Sequence, residues 1–120
     1  MEYDKNNIFA RILRKEIPAD IIYEDEYALA FHDVNPQAPI HVLVIPKKEY
    51  VSFFDFAEKA SPEFVYGFTK AIHHVIKSFD LRKDGFRILS NHSVHGGQEV
   101  PHFHFHIFGG RPLGRMLTPP

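Results

Sequence analysis

The sequence predicts a small α+β domain built on an antiparallel sheet. Three observations carry this reading. Apolar residues between 62 and 79 recur at helical spacing. Several short stretches alternate apolar and polar residues at period two. These stretches are joined by tight turns, whereas a parallel sheet would need helical crossovers between them. The chain has 120 residues, the length of one domain, and no repeat, low-complexity tract or linker divides it, so residues 1–120 read as a single domain.

The elements follow in order. Ile8, Phe9, Ile12 and Leu13 place apolar side chains on one face of a short helix. Asn6 or Asn7 can cap it, and Ile17-Pro18 is expected to end it, because a residue before proline is pushed out of the helical region. Ile21-Ile22-Tyr23 and Tyr27 to Phe31 read as strands around a turn at Glu24-Asp25-Glu26. In the second, Tyr27, Leu29 and Phe31 alternate with Ala28, Ala30 and His32, the pattern of a half-buried strand. Asp33 to Pro39 is a proline-punctuated loop. His41-Val42-Leu43-Val44-Ile45 is a β-branched strand closed by Pro46.

Ser61-Pro62-Glu63 combines a capping hydroxyl, a proline at the first helical position and an acid in the first turn. Phe64, Phe68, Ile72, Val75 and Phe79 then line one face of a long helix ending near Phe79. Asp84-Gly85 signals a turn before a strand at Phe86–Asn91. A polar loop from His92 to Gln98 contains Gly96-Gly97. The last strand is expected at His102–Phe108, stopped by Gly109-Gly110.

Composition narrows the function classes. Fourteen basic and fifteen acidic residues give a net charge of −1, so nothing drives non-specific binding to nucleic acid or to an anionic membrane. The absence of cysteine excludes disulfides, thiolate metal sites and a cysteine nucleophile. The N-terminal residues lack the pattern of a signal peptide, and no apolar run approaches the ~20 residues that cross a bilayer. A cytoplasmic protein is expected.

Nine histidines are the unusual feature. His102, His104 and His106 alternate with Phe103, Phe105 and Ile107, so on a strand the three imidazoles share one face. Solvation alone is a poor account of them, since an ordinary solvent face uses other polar residues. A metal site is one alternative, with two of the three and a distant ligand such as His41. Geometry limits it: at ~3.3 Å per residue, His102 and His106 stand ~13 Å apart, beyond the reach of one ion. A nucleophilic central imidazole, with neighbours that orient and neutralise a bound anion, uses the row better. Around the long helix, His73 and His74 lie about 140° and 240° from the Phe68 direction and read as solvated surface, as do Lys47-Lys48 and Arg82-Lys83. Gly96-Gly97 allows backbone N–H groups to approach an anion, although alone it signals only a turn.

The segment Gly96-Gly97-Gln98-Glu99-Val100-Pro101-His102-Phe103-His104-Phe105-His106-Ile107-Phe108-Gly109-Gly110 resembles the signature of the histidine triad (HIT) superfamily, in which three histidines alternate with apolar residues. Ile8 to Ile12, Lys15 to Ala19, Phe31 to Pro39 and His41 to Lys47 are similar to the Hint branch, the histidine triad nucleotide-binding proteins. Gly110-Arg111-Pro112-Leu113-Gly114 is similar to bacterial members of that branch.

The resemblance implies a five-stranded antiparallel sheet with two helices, joined into a ten-stranded sheet in a homodimer. It implies hydrolysis of purine nucleoside phosphoramidates, AMP or GMP joined to an amine, through a covalent nucleotidyl-histidine and without a metal or other cofactor. By position, His104 is the nucleophile, and His102, His106 and His41 surround it. Asp33 meets the ribose with Val34 beside it, and Ile8, Phe9, Ile12 and Phe31 line the base pocket. Asn91 and the backbone of Gly97, Gln98 and Glu99 hold the phosphate and the leaving group. Glu99 stands where many eukaryotic relatives have serine, so only its backbone N–H suits an anion. Pro101 replaces a commonly aromatic position. The short C-terminal tail, Leu117-Thr118-Pro119-Pro120, lacks tryptophan, and in this branch the tail often reaches the partner's site. Crowding among the imidazoles is expected to keep His104 neutral, and imidazoles near pH 7 to supply the leaving amine with its proton. Two rival functions remain: a dinucleoside polyphosphate hydrolase of the fragile histidine triad type, which tends to have glutamine in place of Asn91, and a non-catalytic nucleotide-binding adaptor.

Overall fold

In the computed structural model, which describes residues 2–118, the chain forms an α+β fold around one five-stranded antiparallel sheet. The strands are β1 (Ile21–Glu24), β2 (Ala28–His32), β3 (Ile40–Pro46), β4 (Arg87–Leu89) and β5 (Phe105–Gly109), in the order β1-β2-β3-β5-β4. The helices are α1 (Ile8–Leu13), α2 (Phe53–Lys59), α3 (Pro62–Ser78) and a single turn, α4 (Ser93–Gly96). The expectation of two helices is therefore corrected. α2 buries only Phe56, so it has no apolar periodicity to read. α4 is one turn within the loop expected at His92–Gln98.

Both faces of the sheet are covered. On one, α3 lays Phe64, Phe68, Ala71, Ile72 and Val75 against Ala28, Ala30, Val42, Val44, Phe103 and Ile107. On the other, Phe9 and Ile12 of α1 pack on Leu29, Phe31, Leu43 and Ile45. The expectation that β2 is half-buried is thus wrong: Ala28 to Phe31 are all buried, the alanines under α3 and the larger residues under α1. Close approach of α3 also depends on Gly67, where a Cβ would lie 2.4 Å from the Tyr27 ring.

The caps agree with the sequence. Asn7 accepts a bond from the Ala10 amide at 2.8 Å, and Ser61 accepts one from the Phe64 amide at 3.1 Å. α1 ends at Leu13, earlier than Ile17-Pro18, as Lys15 turns into the left-handed region at φ 62°. β4 is shorter than Phe86–Asn91, and β5 starts at Phe105, so His102 and His104 precede the strand expected to hold all three histidines. The reason lies in the neighbours. β3 ends at Pro46, which has no N–H to extend a ladder, and β4 pairs no further than Leu89 with His106. The Phe103 amide instead donates to the Tyr50 carbonyl at 2.8 Å, and Ser90 Oγ donates to the His104 carbonyl at 2.6 Å. The alternation of faces nevertheless persists through this segment. Among the described residues no helix is long and apolar enough to cross a membrane. Pro119 and Pro120 of the tail lie outside the described residues.

Candidate functional site

The register of the three central strands assembles the site. Leu43 of β3 and Leu89 of β4 both stand opposite His106, and His41 stands opposite Phe108. Directly opposed residues of an antiparallel pair share a face. All five therefore lie on the α1 side of the sheet, where Phe9 meets the His104 ring edge-on at 4.9 Å between centroids. There a cleft of about 700 Å³ opens. Of the residues named in advance, Ile8, Phe9, Ile12, Phe31, Asp33, Val34, Asn91, Gly97, Glu99, His104 and His106 line it, while His41, His102 and Gln98 do not.

The hydrogen bonds fix which nitrogen of each neutral imidazole carries the proton. A carbonyl can only accept, so His104 Nδ1 carries the proton that it donates to the His102 carbonyl at 2.6 Å. Its Nε2 is left with a lone pair. The Gln37 amide donates to His41 Nδ1 at 3.1 Å, so the His41 proton is on Nε2, which faces His106 Nδ1 at 2.9 Å. His106 therefore accepts at Nδ1 and carries its proton on Nε2. Among the described residues every buried side-chain nitrogen and oxygen has a hydrogen-bond partner.

His102, His104 and His41 are 0%, 6% and 2% exposed, which removes the solvated reading of the row. Burial is the first cause of the lowered pKa of all four histidines. It takes His102 and His106 down to about 4, and lowers His104 and His41. The charges of His104 and His41 depress His106 further. At His104 the secondary influences, its bond to the His102 carbonyl and the Asp33 and Glu99 carboxylates, act upward. The crowding argument therefore holds at His106, and burial is what keeps His104 neutral. With a pKa of about 4, His106 is a hydrogen-bond donor at pH 7 before substrate binds, and no ready store of protons.

Asp33 accepts from the Asn35 amide at 2.8 Å and lies 3.4 Å from His41 Nε2. Asp33, His41 and His106 offer ligand atoms within 4.8 Å of one another, the one such group among the described residues able to hold a metal ion. Asn91 Nδ2 donates to the Gly96 carbonyl at 2.6 Å and so braces the α4 turn. The Gly97 and Gln98 amides are engaged within the loop, with the Val94 and Ser93 carbonyls. Gln98 also receives the Ser93 amide and donates to the Val51 and Val100 carbonyls. This grip holds Ser93 at φ 55°, a conformation that favours glycine.

Sequence reasoning missed Leu43, Leu89 and Phe108 as lining residues, together with Ile17, Pro18, Ala19, His32, Asn35, Gln37 and Val100. Leu43 had a legible signal: it shares parity with His41 in β3. Leu89 and Phe108 depended on strand register. The sequence also gave no sign that His92 Nδ1 pairs with Ser52 Oγ at 2.7 Å.

The chain is similar along nearly its whole length to proteins of known family. It is 52% identical over 116 residues to an uncharacterized HIT-like protein of Azospirillum brasilense, covering 97% of this chain and 95% of the relative. It is 41% identical over 114 residues to the purine nucleoside phosphoramidase of Escherichia coli, covering 95% of each. A histidine triad protein from Clostridium difficile superposes with a TM-score of 0.85 at 40% identity, over 98% of this chain and 100% of that one. The HIT domain matches residues 14–113, and on this match and these relatives the chain belongs to the HIT family.

Proposed function

We propose that the chain hydrolyses purine nucleoside phosphoramidates through a covalent nucleotidyl-His104 intermediate. One observation carries this reading: the His104 Nδ1 proton is held by the His102 carbonyl, which leaves an Nε2 lone pair on a neutral imidazole in the wall of the cleft. The rest of the cleft suits the substrate. Ile8, Phe9, Ile12 and Phe31 offer an apolar wall to a purine, and Asp33 offers a carboxylate to ribose hydroxyls. The phosphoramidase among the relatives supports the same substrate class.

Bound phosphoryl oxygens accept from His106 Nε2, and their negative charge raises the pKa of His106 so that it takes up a proton from solvent at Nδ1 as the His41 Nε2–H turns to the Asp33 carboxylate 3.4 Å away. His104 Nε2 forms a bond to the α-phosphorus as the phosphorus–nitrogen bond breaks, and His106 gives its proton to the departing amine. Water then attacks the nucleotidyl-histidine and passes a proton to His106, releasing AMP or GMP and neutral His104. The Glu99 backbone amide and His106 stabilise charge on the phosphoryl oxygens. No step requires a metal.

The same reading includes a homodimer. β4 is an edge strand that carries the exposed Ile88 and follows the exposed Phe86, and pairing two such edges would join the sheets. Light scattering at micromolar concentration tests this, with a mass near 14 kDa excluding it.

The deciding experiment compares turnover of an AMP–amine conjugate with that of a diadenosine polyphosphate. Preference for the conjugate, its loss in His104→Ala, and AMP attached to His104 after acid quench are expected. Faster cleavage of the polyphosphate supports the rival hydrolase. Tight AMP binding without turnover of either supports the adaptor.

A further inference from the structure

His102 is the one imidazole of the row that no substrate can reach, yet both of its ring nitrogens are engaged. Nε2 lies 2.9 Å from the Pro46 carbonyl, so the proton is on Nε2. Nδ1 then has only a lone pair. The group facing it, at 2.6 Å, is the Tyr3 hydroxyl, which must donate. The two rings also meet edge-on, 5.5 Å between centroids. Tyr3 belongs to the N-terminal arm and is held by the turn that starts α1. Asp4 accepts from the Asn6 amide at 2.8 Å through its carboxylate and from Asn7 Nδ2 at 2.7 Å through its carbonyl.

We propose that Tyr3 is a positioning residue for His104. Its hydroxyl fixes the His102 ring, and with it the peptide whose carbonyl holds the His104 Nδ1 proton. This rests on the reading of His104 as the nucleophile. The His102 peptide lies ahead of β5, so no strand ladder holds its carbonyl in place. The Phe103 amide, bonded to Tyr50, restrains it from one side. The His102 ring, clamped between Pro46 and Tyr3, restrains it from the other.

Without the Tyr3 hydroxyl, a buried imidazole nitrogen loses its only donor, and the ring must shift to find another. The short bond to His104 Nδ1 then slackens. The alternative His104 tautomer, with the proton on Nε2, gains population, and that tautomer has no lone pair to direct at phosphorus.

The test uses the full chain as wild type and Tyr3→Phe, which keeps the ring and removes one hydroxyl. Long-range proton–nitrogen NMR at pH 7 should find wild-type His102 protonated on Nε2 and His104 on Nδ1. In Tyr3→Phe the His104 nitrogens should move toward an averaged tautomer. With adenosine phosphoramidate, kcat should fall about tenfold while KM stays within about twofold, the split expected from a misoriented nucleophile. Wild-type kcat with unchanged His104 nitrogen shifts would overturn the proposal. So would a wild-type His102 protonated on Nδ1, a measurement that needs no variant to fold. If the wild-type protein fails to turn over the phosphoramidate, the proposed function falls, and the NMR comparison still decides the Tyr3–His102–His104 linkage.

Discussion

His41 Nε2 stands 2.9 Å from His106 Nδ1, with the Gln37 amide 3.1 Å from the other nitrogen of His41. This arrangement sets the direction in which His106 can act. A second proton on His41 would confront the Gln37 N–H, so His41 works as a neutral donor. His106 is then obliged to turn its own N–H toward the cleft. His41→Ala removes that instruction and leaves a half-buried His106 nitrogen without its donor. Activity on an adenosine phosphoramidate should fall about tenfold to a hundredfold, a part of what positioned proton transfer contributes. Denaturant unfolding should show a loss of about 1–3 kcal/mol. His73→Ala, on the exposed face of α3, should change neither quantity.

Acid should destabilise the fold through the same imidazoles. The pKa of His102 and of His106 is about 4 in the folded chain, against 6.5 for the free side chain. A histidine whose folded pKa is depressed binds its proton more readily when unfolded, so it stabilises the fold fully above the unfolded value. That contribution is lost as pH falls from 6.5 toward 4. A shift of this size corresponds to roughly 3 kcal/mol for one group. Urea midpoints should be flat from pH 8 to 7 and fall steadily between pH 6.5 and 4. His102→Asn should flatten that slope. A slope unchanged by the substitution would place the acid sensitivity elsewhere.

The α4 rim of the cleft is fastened through Ser52, which is 2% exposed and bonded to His92 Nδ1 at 2.7 Å. Ser52 begins α2 without capping it by its side chain, so the hydroxyl is free to serve the loop. Gln98 joins the same region to the Val51 carbonyl at 2.6 Å. Together they tie α4 and the Gly97–Glu99 backbone to α2. Ser52→Ala should loosen this rim and leave the nucleophile alone. We expect KM to rise about fivefold, the factor that corresponds to ~1 kcal/mol, with kcat within about twofold. A loss confined to kcat would show that the rim is not what this bond holds.

Patterns of two kinds made most of this molecule legible before its structure. Alternation in residues 102–107 placed the three histidines on one face, and the expected caps, Asn6 or Asn7 and Ser61, placed the starts of α1 and α3. Neither depends on distant parts of the chain. The chemistry that distinguishes the histidines does depend on them. Nothing local to His102 indicates that Tyr3 and Pro46 occupy its nitrogens, and nothing near His106 indicates Leu89 beside it. Burial of Ala28 and Ala30 was hidden for a related reason, because only packing of α3 on the sheet makes small residues necessary there. α2 was invisible for the opposite reason, one buried phenylalanine being too little to define a face.

Asp33, His41 and His106 also make a prediction about metal ions. Their ligand atoms lie within 4.8 Å of one another, wider than the ~3.3 Å that two tetrahedral bonds of about 2.0 Å span, so a zinc ion would have to draw them together. Binding would require His41 to move its proton from Nε2 to Nδ1 and give up the bond from the Gln37 amide, since Nε2 would then have to offer a lone pair. It would also occupy the groups assigned here to the ribose and to the phosphoryl oxygens. Zinc should therefore inhibit in competition with an adenosine phosphoramidate, about equally at pH 6 and pH 8 because His106 is neutral at both, and His41→Ala should weaken the inhibition. Exhaustive chelation should leave the rate unchanged, because the attacking lone pair belongs to His104 and needs no metal to expose it. Loss of activity on chelation, restored by stoichiometric zinc, would instead make this triad a metal centre and would require a different mechanism.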